Sequence, residues 1–439
     1  MITSPAFAGK RYAVLGLARS GLATVQALHA SGAEVTAWDI NEGPREQAQG
    51  MAVLADPLEI DLTGFAGVVV SPGVPLNRHP IRARAANAGV PVIGDIELFA
   101  QARASLPSHK VVGITGTNGK STTTALVHHI LCEAGVPTLM GGNIGLPILS
   151  QTPLASGGVY VLELSSYQID LSYSLDCDVA ALTNVTPDHL DRYADFAAYA
   201  AAKQRLFAMQ SQLHHTVFTD ADDYSRLYRA AAEISHGAGH VRVAQVDKLT
   251  GQQDWPSLQG PHNGQNAAIA IAIVEALGIS EAVWRPALAS FQGLPHRMER
   301  VAEINGVLFV NDSKATNPAS TAPALAAFPR VHWIVGGLAK TDTLDDCADN
   351  FSHVVRAYTI GEAGQHYGAQ LAEHMPVEDC EMLLPAVRSA AAHALPGDVV
   401  MLSPACASFD QFKDYEARGE CFRFAVQSLQ PADVGAVRG

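Results

Sequence analysis

The sequence predicts an α/β protein of three domains, each built on a parallel sheet. Short apolar runs alternate with helical stretches, and that alternation restarts three times along the chain. Two of the predicted strands also run into glycine turns that open helices, the junction from which β-α-β units are built. The length of 439 residues suits two to four domains of roughly 150 residues each.

In the first domain, residues 1–98, "RYAVLGL" reads as a strand, "SGLATVQALHASG" as a helix closed by Gly32, and "EVTAWD" as a second strand. "GVVVSPG" is a later strand, "PVIGDIELFAQA" leads out of the region, and "SLPSHK" serves as a linker. The second domain, residues 99–297, opens with strand "KVVGIT", a glycine turn and helix "STTTALVHHILCEAG". Its strands "GVYVLELSS" and "VAALTNV" are nearly continuous in apolar residues, which suits a sheet covered on both faces; helix "NAAIAIAIVEALG" follows. In the third domain, residues 298–439, strands fall in "VLFVND", "VHWIVGG", "RAYTIG" and "DVVMLSPA".

Composition narrows the function. Hydrophobic residues make up 48% and charged residues 16%, ample for packed cores. A net charge of -14 argues against a nucleic-acid surface, though not against small anions, which need only a few cations and N–H groups. Six scattered cysteines without a C-x-x-C pair point to a reduced, cytoplasmic setting. The chain opens without a signal-peptide pattern, and no window nears the ~18 apolar residues of a membrane span.

The turn Gly116-Thr117-Asn118-Gly119-Lys120-Ser121 lies between a strand and a helix. Backbone N–H groups and the helix dipole there can cradle phosphates, Lys120 adds a mobile charge, and Ser121 can ligate Mg²⁺. Ile114 stands where the standard motif has its first glycine, so this is a variant P-loop in a P-loop ATPase-type central domain. Glu163 ends the strand "VYVLE", where it would meet the phosphate turn as a metal ligand or serve as a helix cap or ion-pair partner. Asp188, His189 and Asp191 cluster just after another strand and strengthen the metal reading. These residues predict an ATP–Mg²⁺ enzyme and leave the acceptor open.

In the first domain, Gly16-Leu17-Ala18-Arg19-Ser20-Gly21 with Asp39 at the next strand tip is nearly a Rossmann fingerprint. Ala18 replaces the middle glycine, and its methyl group opposes close approach of a pyrophosphate. A dinucleotide, another diphosphate-bearing nucleotide, and close helix–strand packing alone all fit this turn.

Together, "GITGTNGKSTTT", "GGNIG", "LELSSYQ", "NVTPDHLDRY" and "YAAAKQRLF" resemble the Mur ligases, the ATP-dependent amide-forming enzymes of peptidoglycan precursor synthesis. "SPGVP", "GLPHRMER", "NDSKATNP" and "SPACASFDQFKDYEARGE" resemble the branch of that family that adds D-glutamate. The resemblance implies Rossmann-like outer domains: the first binds the UDP-substrate, the last D-glutamate. It implies that ATP phosphorylates the alanine carboxylate of UDP-MurNAc-L-alanine, and that the D-glutamate amine then attacks the acyl phosphate. Gly116 to Thr122, including Thr117, Asn118 and Gly119, would hold the phosphates, with Asn263 and Asn266 at adenine and His296, Arg297 and Asp312 at phosphates and ribose. Lys314 would stabilise the transferring phosphoryl group.

Two Mg²⁺ ions are implied, one on Ser121 and Glu163 and a second on His189. Lys203 corresponds to a lysine that the family carbamylates with CO₂; on its own, Lys203 reads as a solvated helix lysine. Leu17, Ala18, Arg19, Asp39, Ser71, Gly73, Asn143 and His189 would contact the UDP-substrate, and Thr316, Lys340, Ser408 and Tyr415 D-glutamate. Tyr415 departs from an expected Phe, "GGLAKTD" lacks a Gly-Asp character, and "WDINEGP" lacks a hydroxyl–Arg pair after Asp39. A monomer is expected. The rivals are a family member with another amino acid acceptor, an NAD-dependent oxidoreductase with an accessory ATP site, and a non-catalytic scaffold.

Overall fold

The computed structural model describes residues 1–188 and 192–436. The chain divides into two units, Met1–Lys248 with Asn266–Ala287, and Leu249–Gln265 with Leu288–Gly439.

The first unit holds two sheets. In one, β1 (Arg11–Leu15), β2 (Glu34–Trp38), β3 (Val53–Leu54), β4 (Gly67–Val70) and β5 (Val92–Ile93) run parallel in the order β3-β2-β1-β4-β5. That is the strand order of a Rossmann sheet without its sixth strand, with the switch point between β1 and β4. In the other, β6 (His109–Thr115), β7 (Thr138–Gly142), β8 (Gly158–Glu163), β9 (Val179–Leu182), β10 (His215–Phe218) and β11 (Val241–Val243) run parallel in the order β11-β10-β9-β6-β8-β7. Every residue of β8 and β9 is buried, as their apolar runs require of a sheet covered on both faces. β6 lies between β8 and β9, with Ile114 opposite Glu163 and Thr115 opposite Leu182. The turn after β6 is therefore flanked by the ends of both neighbouring strands.

The second unit carries β12 (Glu299–Ile304), β13 (Val307–Asn311), β14 (Val331–Gly336), β15 (Val354–Ile360), β16 (Val377–Glu381) and β17 (Val399–Leu402), ordered β12-β13-β17-β14-β15-β16. This sheet is parallel except at one edge, where β12 pairs antiparallel with β13. Asn305 and Gly306 form the connecting turn with φ of 52° and 76°, the left-handed pair that a tight hairpin demands. The "NG" between two apolar runs was the available signal. Residue 98 falls inside the helix Asp95–Ala102, and residue 297 in the bridge Leu294–Arg297 just before β12.

Among the described residues, no helix is long and apolar enough to cross a membrane.

Candidate active site

The phosphate turn is shaped by two glycines that no other residue could replace without strain. Gly116 has φ of 143°, and a Cβ there would lie 1.9 Å from Thr183 Oγ1. Gly119 caps the helix Lys120–Glu133 with φ of 85°, and its Cβ would lie 2.2 Å from Asn266 Oδ1. The residues after β9 clamp the turn: Thr117 N donates to Asn184 O (2.9 Å), and Asn118 N to Asn184 Oδ1 (2.9 Å). Thr183 Oγ1 donates to Asn118 O (2.6 Å). The first N–H groups of a helix have no acceptor within it, and the dipole adds positive potential, so this end suits an anion.

Two lysines converge on one carbonyl of this turn. Lys120 Nζ donates to Gly116 O (3.0 Å) and Thr117 O (2.7 Å), and Lys203 Nζ donates to the same Gly116 O (2.7 Å). Lys203 is 1% exposed on the helix Phe196–Ala208, with its amine 4.4 Å from the centroid of Tyr199. The plain reading of Lys203 as a solvated helix lysine is therefore wrong. Burial, with Lys120 adding like-charge repulsion, holds its amine well below the usual lysine range, while Asp188 and Asp170 oppose the shift. The lowered pKa favours the neutral amine over the ammonium, relative to an ordinary lysine.

Glu163 is buried at the end of β8. Its Oε1 accepts from Asn143 Nδ2 (2.9 Å), and its Oε2 has no hydrogen-bond partner among the described residues. A buried carboxylate oxygen without a donor fits a cation ligand. Ser121 is likewise buried, Thr122 is half-buried, and Asn266 accepts from Thr123 Oγ1 (3.3 Å). His189 and Asp191 lie outside the described residues.

At the first glycine turn, Gly16 has φ of 85°, and a Cβ on Gly21 would lie 1.8 Å from Gly16 O, so the last glycine serves close packing. Ala18 is the extended cap of the helix Arg19–Ala30, and Arg19 Nη2 donates to Gly145 O (3.1 Å). Both carboxylate oxygens of Asp39 bind the protein itself. Oδ2 accepts from Leu17 N (2.7 Å), and Oδ1 from Asn41 N (2.9 Å) and Asn41 Nδ2 (3.2 Å). Ser71 Oγ donates to Gly16 O (2.7 Å), and Gly73 is exposed.

In the second unit Asp312, Lys314, Thr316, Lys340, Ser408 and Tyr415 follow the ends of β13, β14 and β17, and His296 and Arg297 precede β12. His296 adopts φ of 62° and Met298 of 49°, a strained pair around Arg297. His296 Nδ1 meets Asn311 Nδ2 (2.9 Å), its carbonyl accepts from Lys314 N (3.0 Å), and a Cβ on Gly419 would lie 2.1 Å from its ring. Asp312 accepts from Ser403 Oγ (2.8 Å) and Met298 N (3.1 Å); burial pushes its carboxyl up to about 7 against the pull of those bonds and of Arg297. Lys314 Nζ lies 3.9 Å from the centroid of Tyr415, whose ring also meets His296 edge-on. Lys340 Nζ donates to Thr316 Oγ1 (3.3 Å), and Ser408 is buried in the loop after β17. Asn263 is buried in this unit, donating to Gln259 O (3.1 Å).

Sequence reasoning missed Arg418, which is 1% exposed. Its Nε donates to Ser313 Oγ (3.0 Å), Nη2 to Ser313 O (2.8 Å) and Cys406 O (3.0 Å), and Nη1 to Ala407 O (3.2 Å). Desolvation lowers its pKa to about 10, which leaves it charged at neutral pH. This guanidinium ties the Asp312–Lys314 loop to the Ser408 loop. Arg418→Met strands those acceptors and is expected to destabilise the second unit by about 3 kcal/mol. Thermal unfolding of the full chain checks it; a midpoint equal to that of the unaltered chain would show that the acceptors find other donors.

Family models match in all three regions: Mur ligase MurD-like, N-terminal domain over residues 10–94, Mur ligase middle domain over 114–274, and Mur ligase, glutamate ligase domain over 296–406. The chain is 69% identical to UDP-N-acetylmuramoylalanine–D-glutamate ligase of Novosphingobium aromaticivorans, covering 98% of this chain and 97% of that protein. The ligase of the same name from Sphingopyxis alaskensis is 60% identical, covering 98% and 100%. Two solved structures share the fold: UDP-N-acetylmuramate–alanine ligase MurC from Thermotoga maritima (17% identity, 95% and 99% covered, TM-score 0.58) and MurF ligase from the same organism in complex with ADP (15%, 96% and 95%, 0.58). With matching models across most of its length and relatives this similar over nearly all of it, the chain belongs to the Mur ligase family.

Proposed function

We infer that this protein is an ATP-dependent ligase joining D-glutamate to the alanine carboxylate of UDP-N-acetylmuramoyl-L-alanine in peptidoglycan precursor synthesis. ADP and phosphate leave, and an acyl phosphate connects the two half-reactions. The observation that carries this reading is the meeting of Lys120 and the buried Lys203 at the Gly116 carbonyl, beside a strand that ends in Glu163. The high identity to D-glutamate ligases supports the choice of amino acid.

A carboxylate is a poor electrophile, so the protein must bring anionic reactants together and neutralise their charge. The turn Gly116–Thr122 and Lys120 receive ATP's phosphates, and Asn263, Asn266, His296, Arg297 and Asp312 hold the rest of the nucleotide. Ser121, Glu163, His189 and a carbamate on Lys203 would hold two Mg²⁺ ions, which supply positive charge at the phosphoryl oxygens. Lys314 steadies the charge on the transferring group, its own ammonium oriented by the Tyr415 ring. Leu17 to Arg19, Ser71, Gly73, Asn143 and His189 take the UDP-substrate, with Asp39 shaping its loop. Lys340 meets a D-glutamate carboxylate, with Thr316, Ser408 and Tyr415 fixing its orientation. The enzyme acts as a cytoplasmic monomer.

The test is phosphate release from ATP with UDP-MurNAc-L-alanine and, separately, D-glutamate, L-alanine, L-lysine or meso-diaminopimelate, with the product weighed by mass spectrometry. Turnover is expected with D-glutamate alone, giving a product one glutamyl residue heavier. Turnover with another amino acid overturns the acceptor assignment, and none with any overturns the ligase reading.

A further inference from the structure

The motif "NVTPDHLDRY" ends near an arginine to which the ligase reading assigns no role. Arg192 Nη1 donates to Val74 O (3.1 Å) and Nη2 to Gly73 O (3.2 Å). Its guanidinium carbon lies 4.9 Å from the centroid of Tyr167. Tyr167 stacks on Tyr193, with ring centroids 5.9 Å apart and planes 7° from parallel, and Tyr193 Oη donates to Asp170 Oδ2 (2.8 Å). Tyr167 and Asp170 both belong to the helix Ser166–Asp170, which begins just past the end of β8 with a complete capping box on Ser165. The guanidinium is thus a bracket. Its face rests on an aromatic pair anchored to the central sheet, and its fork grips two successive carbonyls of the loop after β4.

That loop carries Ser71 and Gly73. Its inner end is tied to the Rossmann-like sheet through Ser71 N to Leu15 O (3.0 Å) and Ser71 Oγ to Gly16 O (2.7 Å). Farther out, Val74 N to Ser71 O and Leu76 N to Val74 O only curl the loop on itself. A cavity of about 190 Å³ opens under it, lined by Val74, Leu76, Arg82, Tyr167, Leu171 and Arg192 among others, so tight packing does not fix the loop from below.

The geometry points to Arg192 as a positioning residue for the UDP-substrate, acting through the loop Ser71–Val74. This rests on the ligase reading and on its assignment of Ser71 and Gly73 to that substrate. A planar fork that also stacks is a task lysine cannot perform, because an ammonium offers neither the paired donors nor the flat face.

The experiment measures KM for UDP-MurNAc-L-alanine, ATP and D-glutamate, and kcat, in Arg192→Ala, Arg192→Lys, Tyr167→Phe and Tyr167→Leu. Arg192→Ala is expected to raise KM for the UDP-substrate about tenfold, and Arg192→Lys about fivefold, with kcat and the other two KM values within about twofold. Tyr167→Leu removes the ring and raises the same single KM about threefold, whereas Tyr167→Phe keeps the ring and raises it less. A UDP-substrate KM that stays within about twofold in Arg192→Ala overturns the proposal, as does a parallel change in all three KM values. Should Arg192→Ala fail to fold, Arg192→Lys and Tyr167→Leu decide the matter by the same criteria. Failure of the unaltered enzyme to use D-glutamate sinks the ligase reading itself, a result distinct from unchanged variants of an active enzyme.

Discussion

Replacing Lys203 by methionine is expected to lower ligase turnover by about 10²–10³-fold while leaving the chain folded. Methionine fills a buried site of this length without a charge to desolvate, and removing an amine held beside Lys120 relieves a repulsion. Stability should hold or rise slightly, which separates loss of chemistry from loss of fold. What disappears is the buried amine at the phosphate turn, which CO₂ would turn from cation to anion. Carbon dioxide adds to a neutral amine and releases a proton. Because burial and Lys120 depress the Lys203 pKa, the reactive form is present well below the pH at which an ordinary lysine loses its proton. Acidification through the lowered pKa restores the ammonium, so turnover should fall on the acid side and in buffers stripped of CO₂. Phosphate release, thermal unfolding and intact mass of the native protein check these expectations together. Turnover of Lys203→Met within about tenfold of the unaltered enzyme would make Lys203 a structural amine.

That lysine also marks where the sequence stops being readable. The phosphate turn was legible because its requirements are local: Gly116 and Gly119 supply positive φ, and Lys120 and Ser121 follow at the helix start. Lys203 contacts Gly116, 87 residues away, and nothing in "YAAAKQRLF" shows that its helix is buried on that face. Only the resemblance to a family supplied it. Arg418 fails for the same reason, since an arginine in a helix that otherwise reads as charged looks solvated until the loops it grips are folded around it. Asp39 was legible as a strand-tip acid, but its bonds to Leu17 N and Asn41, which order the glycine turn, were not. Thr316 and Lys340 meet across 24 residues through strand order, which periodicity does not encode.

Glu163→Gln should separate two readings that the strand "VYVLE" left open, a metal ligand or a structural carboxylate. A buried carboxylate kept only for structure would be expected to have donors facing its buried oxygens. Here Asn143 engages Oε1, while the buried Oε2 has no partner among the described residues. Without metal such a buried oxygen costs stability, because no donor replaces the water it has lost. Glutamine keeps an acceptor for Asn143 and removes the ionic charge, so the metal-free variant is expected to be more stable by about 1 kcal/mol. The same change removes an anionic ligand, and turnover is expected to fall about 10²–10³-fold, with more Mg²⁺ needed for what remains. The unaltered enzyme should also gain more thermal stability from Mg²⁺ with a non-hydrolysable ATP analogue, because ligands that bind only the folded state stabilise it by mass action. Opposite signs for stability and activity are the signature of a residue kept for its ligand rather than for the fold. A variant that is less stable without metal yet turns over normally would show Glu163 to be structural.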